Sequence, residues 1–321
     1  MSTLPTDPHR LSQRLNRRVK LRDLDTLMAV VAHGGMRKAA VQLSLSQPAV
    51  SKAVAELEGA LGVALLERNR QGIAVTAAGS ALIKRAQAMF DELQLGLREL
   101  AHLADPEAGD IRLACSEPVM GGLMSAAMER MHRRYPRVNF IAESASTQML
   151  QLQQLRDRHC DFVITRPNPI ELGPDIQAET LFHDRVGLVV GHSHRLARRR
   201  KLSLAELVDE PWIISPVELR ADSPVVAGFA ALGLPMPRMW VQGGSLNARF
   251  ALLDSGRYVT AMPGAFLHFA RHRHNLTLLP VALPRWTAPN MLMTLRQHSL
   301  SPVVTVFLEI VRELARPLAV D

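Results

Sequence analysis

The stretch AAVQLSLSQPAVSKAVAELE, Ala39–Glu58, contains no glycine, yet its helical rhythm stops in the middle. Ahead of the stop, Ala39, Ala40 and Leu43 fall about one helical turn apart. Beyond it, Val50, Val54, Leu57 and Leu61 follow at i, i+4, i+7 and i+11, a narrow apolar stripe. Ser46 is placed to cap the second helix with its side-chain oxygen. Pro48 falls in that helix's first turn, where an absent N–H costs nothing. The opposite face carries Gln47, Ala49, Ser51, Lys52 and Ala55, slim and polar with a single cation. Such a face can enter a groove and leave hydrogen-bonding groups at its tip. Whether the groove belongs to DNA is decided by what flanks the stretch.

Residues 1–20 form a polar, basic extension. From Leu21 a helix is predicted, with Leu24, Leu27, Met28 and Val31 on one face and His33-Gly34-Gly35 as its stop. The two helices of the opening stretch follow, joined through Ser44-Leu45-Ser46, and Gly62 ends the second. LLERNRQGIAVT, Leu65–Thr76, then reads as two short extended pieces around Gln71-Gly72, a hairpin signal. Helix, helix-turn-helix and hairpin in this order make a winged helix-turn-helix module. From Thr76 to about Leu103 a single helical pattern runs without proline, roughly 40 Å long at 1.5 Å per residue. Its seam is Leu82, Ala86, Met89, Leu93, Leu97 and Leu100. So thin an element cannot bury a seam by itself, so a helix from a second chain is the expected partner, with packing on its own domain as the alternative. DPEAGD, Asp105–Asp110, reads as a linker.

Charge agrees with a polyanion partner. The chain of 321 residues has a formal net charge of +8, and residues 1–70 alone hold 11 Lys/Arg against 6 Asp/Glu. At 47% hydrophobic and 21% charged residues it can bury sizeable cores, and its length predicts two or three domains. Cys115 and Cys160 are the only cysteines, which gives neither a disulfide framework nor a zinc spacing. The first twenty residues lack the apolar run of a secretory signal, and no stretch is apolar for about 18 residues. A cytoplasmic protein is expected.

Past the linker the rhythm becomes α/β. DIRLACS (Asp110–Ser116), VNFIAES (Val138–Ser144), DFVITR (Asp161–Arg166), DRVGLVVG (Asp184–Gly191), PWIIS (Pro211–Ser215), RMWVQG (Arg238–Gly243) and YVTAMP (Tyr258–Pro263) read as strands. Helices are predicted to end near Arg134, to span Thr147–Arg158 and to close the chain at about Pro302–Ala315. The alternation predicts parallel sheet with helices on both faces, divided into two similar subdomains joined by crossing strands. A ligand cleft is expected between them, at strand carboxyl ends and helix N-termini.

MRKAAVQLSLSQPAVSKAVAELEGALGVALLERNRQGIAVTAAG strongly resembles the winged helix-turn-helix of the LysR-type transcriptional regulators, with the Ser-Gln-Pro-Ala run opening the recognition helix. LRDRHCDFVITR, HRLA and LLDSGRYVTAMP resemble later segments of the family in the right order, so the resemblance covers about residues 20–321. It implies four segments: an extension (1–20), a winged helix-turn-helix domain (21–75), a linker and dimerisation helix (76–104), and an effector domain (105–321). That last segment would consist of two α/β subdomains resembling periplasmic binding proteins. It also implies a homotetramer built as a dimer of dimers, control of transcription by a small co-inducer, and RNA polymerase as a further partner. Departures from the family pattern are Gly35 for a usual capping Ser, Arg158 and Tyr258 for glycines, and Arg195 for a proline.

On double-stranded promoter DNA, Ser46, Gln47, Pro48, Ala49, Ser51 and Lys52 would meet the major groove. Gln47 can read adenine through two hydrogen bonds, and Lys52 can reach guanine or phosphate. Arg68 and Arg70 flank the hairpin tip, where a wing meets backbone or minor groove. For a small anionic effector, Ser116 at a strand end and Ser146 and Thr147 at a helix start offer hydroxyls beside exposed N–H groups. The family commonly binds a co-inducer carboxylate at these positions. Arg166, Ser215, Arg220 and Asn247 are placed around the same cleft. No catalytic residue, cofactor or metal is expected. Ser116 has no GxSxG setting or paired His, His192/His194 and His272/His274 lack acid or Cys partners, and VMGGLM and VQGGSL lack the lysine or spacing of a phosphate loop. The rival reading is a solute-binding or enzyme-like α/β protein with a basic N-terminal appendage.

Overall fold

Ser46 does accept a hydrogen bond from the Ala49 N–H (3.3 Å), and Gly62 ends the same helix in the left-handed region at φ 73°. These two residues bound α3, Gln47–Leu61, in a computed structural model that describes residues 19–69, 72–105, 107–145, 147–166, 172–221, 223–283, 288–296 and 298–318. The chain divides into two units, Met1–Gly96 and Leu97–Asp321.

In the first unit, α1 (Leu21–Ala32) and α2 (Met36–Gln42) precede α3. Gly35 leads α2 without any side-chain cap, as its lack of a hydroxyl dictates. The turn between α2 and α3 places Ser44 at φ 54° and closes with the Leu45 N–H on the Ala40 carbonyl. The stripe of α3 is buried throughout: Val50 and Val54 lie with Val30, Ala39 and Ala40, while Leu57 and Leu61 join Leu24, Leu27 and Leu65. Each fully buried Val or Leu contributes roughly 1.5–3 kcal/mol relative to exposure. Strands β1 (Leu66–Asn69) and β2 (Gly72–Val75) pair antiparallel. The Glu58 carboxylate accepts from the Leu65 and Leu66 N–H groups (2.7 and 3.1 Å), pinning the hairpin to α3.

Helix α4, Ala77–Ala104, runs 28 residues. Leu82, Ile83, Ala86 and Phe90 pack on the core of the first unit, so the near end of the seam is covered by its own domain. Met89, Leu93, Leu97, Leu100 and Leu103 remain exposed, by 40–77%.

The second unit holds two lobes, each around a five-stranded sheet. In the first lobe β3 (Ala108–Cys115) pairs parallel with β4 (Arg137–Ser144) and β5 (Phe162–Thr165). A helical stretch follows β3 as α5 (Glu117–Val119), a π turn (Met120–Met124) and α6 (Ser125–Arg134). After β4 comes α7 (Gln148–Arg156). The chain leaves through β6 (Ile176–Asp184), turns at Arg185 and enters the second lobe as β7 (Val186–Gly191). There β8 (Trp212–Ile214), α8 (Pro224–Ala231), β9 (Met239–Gln242), α9 (Leu246–Asp254), β10 (Val259–Pro263), α10 (Gly264–Ala270) and β11 (Leu276–Leu278) follow. It returns to the first lobe as β12 (Ala288–Leu295) and α11 (Pro302–Ala315). Sheet orders are β4-β3-β5-β12-β6 and β11-β7-β10-β8-β9.

The sheets are mixed rather than parallel. β12 runs antiparallel to β5 and β6, and β7 runs antiparallel to β10 and β11. The sequence reading passed over β6, β11 and β12. β6 alternates polar and apolar residues, and β12 carries Pro289 near its start, so neither offers the continuous apolar run of a buried parallel strand. The segment Asp184–Gly191, read as one strand, is the joint between two sheets. The proposed linker Asp105–Asp110 already contains the start of β3.

In the first lobe Phe307 of α11 fills the core against Phe140 and Phe162, with ring centroids 5.0 and 6.0 Å apart. Arg98, near the end of α4, pairs with Asp161 (3.1 Å), whose other oxygen accepts from the Arg112 N–H (2.8 Å). Arg158 stands at φ 60°, where the family pattern has glycine. No described helix is long and apolar enough to cross a membrane.

The start of α4 tolerates no side chain at Gly79. A Cβ there would sit 2.2 Å from the Leu65 carbonyl oxygen and 2.9 Å from Val75 Cγ1, while the Gly79 N–H bonds Thr76 Oγ1 at 2.9 Å. Gly79→Ala is expected to destabilise the first unit by about 1–3 kcal/mol in denaturant unfolding. An unchanged midpoint would mean that α4 can back away from the hairpin freely.

Candidate nucleic-acid interface and inter-lobe cleft

With its apolar stripe turned inward, α3 leaves Ser46, Gln47, Pro48, Ala49 and Lys52 exposed together at its N-terminal end. Lys52 pairs loosely with Glu56 one turn on (3.7 Å), both well exposed, so its ammonium remains available to a polyanion. Ser51 is half-buried and faces a small crevice beside the hairpin, lined also by Met36, Glu58 and Ile73. Arg68 lies in β1, its backbone in register with Ile73, and Arg70 lies outside the described residues. The helix N-terminus adds a partial positive charge to this tip.

In the second unit a cavity of about 280 Å³ opens between the lobes. The first lobe contributes Glu117, Met120, Gly121 and Ser144, and the second contributes Leu246, Asn247, Phe250, Phe266 and His274. Gly121 and Gly122 allow the π turn to approach α10. A Cβ on Gly121 would lie 3.2 Å from the Phe266 ring, and one on Gly122 3.1 Å from the Phe266 Cα. The glycine pair that fails as a phosphate loop is therefore a close-packing device. Across the opening, Glu117 Oε2 accepts a hydrogen bond from the Leu246 N–H at 2.9 Å. His274 stacks on Phe250 with centroids 3.9 Å apart, and Phe250 stacks on Phe266 at 5.6 Å. Burial, helped by nearby Arg273 and opposed by Asp254, lowers the His274 pKa.

Of the residues expected around the cleft, Asn247 lines the cavity. Ser116 precedes Glu117 in the N-cap position, half-buried, with no cap bond from its hydroxyl. Thr147 caps α7 by accepting from the Leu150 N–H (3.3 Å), and Ser146 lies outside the described residues. Arg166 is drawn to the crossing point of the lobes, 3.9 Å from Asp184. The Asp184 carboxylate also accepts from the Ala265 N–H (3.0 Å) and Asn290 Nδ2 (3.4 Å). Its burial raises the pKa, opposed by the Ala265 hydrogen bond and by Arg166. Ser215 begins a single 3₁₀ turn (Pro216–Leu219), with its N–H on Glu218 Oε2 at 2.6 Å, and Arg220 ends that turn. Glu117, Ser144 and the Phe250–Phe266–His274 stack were missed. Glu117 is marked in sequence only by following a strand end, and the rings are distant along the chain.

His194 is buried, accepts from the Leu196 N–H at Nδ1 (3.1 Å) and lies 3.7 Å from Glu210, a packed histidine rather than a ligand. Among the described residues no group of three His, Cys, Asp or Glu could hold a metal ion.

Two family models cover this chain. Residues 21–80 match "Bacterial regulatory helix-turn-helix protein, lysR family", and residues 104–316 match "LysR substrate binding domain". The chain belongs to the LysR family. LysR-family regulators bind promoter DNA through the helix-turn-helix and small-molecule effectors through the C-terminal domain, and this chain is such a transcriptional regulator, not an enzyme. The HTH-type transcriptional regulator GbpR of Azospirillum brasilense is 28% identical over 92% of the chain and 87% of its own length. The transcriptional dual regulator GltC of Bacillus subtilis is 24% identical over 82% and 86%. Solved LysR-family folds superpose along most of the chain. A full-length OxyR variant from Pseudomonas aeruginosa gives a TM-score of 0.60 at 20% identity, covering 92% of this chain and 94% of that one. Full-length CbnR complexed with its target DNA gives 0.52 at 23%, covering 92% and 100%.

The LysR-family effector domain buries a guanidinium among its charged groups. Arg249 of α9 is 4% exposed and bonds Glu218 (3.1 Å) and the Ala261 carbonyl (2.9 Å). Glu218→Ala strips the counter-charge and frees the Ser215 N–H. A loss of about 1.5–3 kcal/mol, the range for a hydrogen bond to a charged group, is expected in unfolding of the effector domain. No loss would mean that Arg249 is sustained by carbonyls alone.

Proposed function

We propose that α3 is the recognition helix and that Gln47, Ala49 and Lys52 at its exposed tip read bases, with Ser46 and Pro48 setting the helix start against the backbone. The observation carrying this reading is the complete segregation of α3 into a buried stripe and a slim exposed face. Ser51 reads at the edge of that face, and Arg68 and Arg70 of the hairpin contact phosphate or minor groove. Gln47→Ala is expected to reduce discrimination at one base position by about 1–3 kcal/mol while leaving other positions ranked as before. Competition binding against single-base variants of the site upstream of its own gene measures it. A variant with an unchanged ranking everywhere would remove Gln47 from base reading.

The effector occupies the inter-lobe cleft, touching Asn247. Ser116 and Thr147 stand one and three residues from the lining residues Glu117 and Ser144, and Arg166, Ser215 and Arg220 support the surrounding loops. The protein works in the cytoplasm, where promoter DNA is, and acts on RNA polymerase from its bound site.

The chain assembles as a dimer of dimers through α4. Five large apolar side chains from Met89 to Leu103 continue the seam beyond the part that the first unit covers, and an identical seam on a second copy is its complement. Leu93→Glu would set a carboxylate in that contact, where an unpaired buried charge is costly. Sedimentation is expected to show a smaller assembly with its effector domain still folded. An unaltered oligomer would place the interface elsewhere.

A further inference from the structure

Helix starts and hydroxyls suggest an anionic effector, but the charge on the cleft wall is itself negative. Among the described lining residues Glu117 is the one acid and no Lys or Arg appears, while burial lowers the His274 pKa. The carboxylate is fixed there, because Leu246 N–H, the first amide of α9, holds Oε2 from the other lobe at 2.9 Å. The helix end that would otherwise greet an anion is thus taken by the protein's own carboxylate. Two cations on neighbouring segments have acceptors within the protein. Arg249 is buried on Glu218 and the Ala261 carbonyl, and Arg273 reaches Glu129 at 3.7 Å. Ser144 and Asn247 add uncharged hydrogen-bonding groups, and Phe250, Phe266 and His274 present a stacked aromatic wall.

We propose that the cleft recognises a cationic small molecule, an amine or guanidine carried on an apolar body, with Glu117 as its counter-ion and specificity determinant. An ammonium gains a charge-assisted hydrogen bond from the Glu117 carboxylate and the attraction of ring faces. An anion of the same shape meets a like charge a few ångströms away. The inference rests on the reading that this cleft is the effector site and adds the class of ligand to it.

Three probes of one shape test it: benzylamine, benzyl alcohol and benzoate, a cation, a neutral molecule and an anion on the same ring. Affinity for the full-length chain is read by ligand-observed NMR titration. Benzylamine is expected to bind about tenfold or more tightly than benzoate, with benzyl alcohol between them. Glu117→Gln keeps an acceptor for the Leu246 N–H and should collapse that order. Phe250→Leu should weaken all three while keeping the order, which places them on the ring wall. Benzoate bound as tightly as benzylamine in a Phe250-dependent way overturns the charge class and leaves the cleft as the effector site. An amine preference that survives Glu117→Gln overturns the role of Glu117. Silence from all three probes overturns both the charge class and the cleft reading.

Discussion

Four segments of the effector domain meet at one buried carboxylate. Asp184 ends β6, and its oxygens take the backbone N–H of Ala265 at the start of α10 and the amide of Asn290 in β12, with Arg166 from the end of β5 close by. The two places where the chain passes between lobes are therefore tied to each other and to the strand beside them. A carboxylate with a 5% exposed side chain is costly in isolation, and these donors offset that cost. Relative movement of the lobes has to be accommodated around this knot. The cleft residues Glu117 and Leu246 lie on opposite sides of the opening, so their contact changes with any such movement.

The first unit applies the same device at smaller scale. Glu58 projects from α3 to hold two amides at the root of the hairpin, and Thr76 bonds the Ala64 and Leu65 carbonyls while capping α4 through Gly79. α3, the hairpin and α4 are thereby locked together by two side chains. The exposed face of α3 owes its fixed presentation to them.

Much of this was legible in the sequence where local rules act alone. The Ser46 cap, the Gly62 stop, the stripe of α3 and the closing helix at Pro302–Ala315 all follow from spacing and capping within one element. Strands β6, β11 and β12 were not legible, because their partners lie far along the chain and their patterns are half polar or interrupted by proline. Ser116 and Arg166 are marked in the sequence by strand ends, and Thr147 by a helix start. The cavity wall is instead decided by which side chains lobe packing brings together, and Phe250, Phe266 and His274 share no motif. Arg158 shows the converse: its departure from a family glycine was visible, but the left-handed backbone it must adopt at φ 60° was not.

The interleaved route of the chain also sets a timetable for synthesis. The first unit and the second lobe are each contiguous and can close as they leave the ribosome. The first lobe begins at Ala108 yet lacks β12, which joins β5 to β6, and the core-filling Phe307 until Ala288 and beyond have emerged. Its parallel strands must wait with open edges and an unfilled core while the second lobe is made. A nascent chain stopped just before β12 would therefore carry a finished DNA-reading module and a finished second lobe beside a first lobe ready to aggregate, and the late segment from β12 onward is the one that seals the regulator against its own open edges.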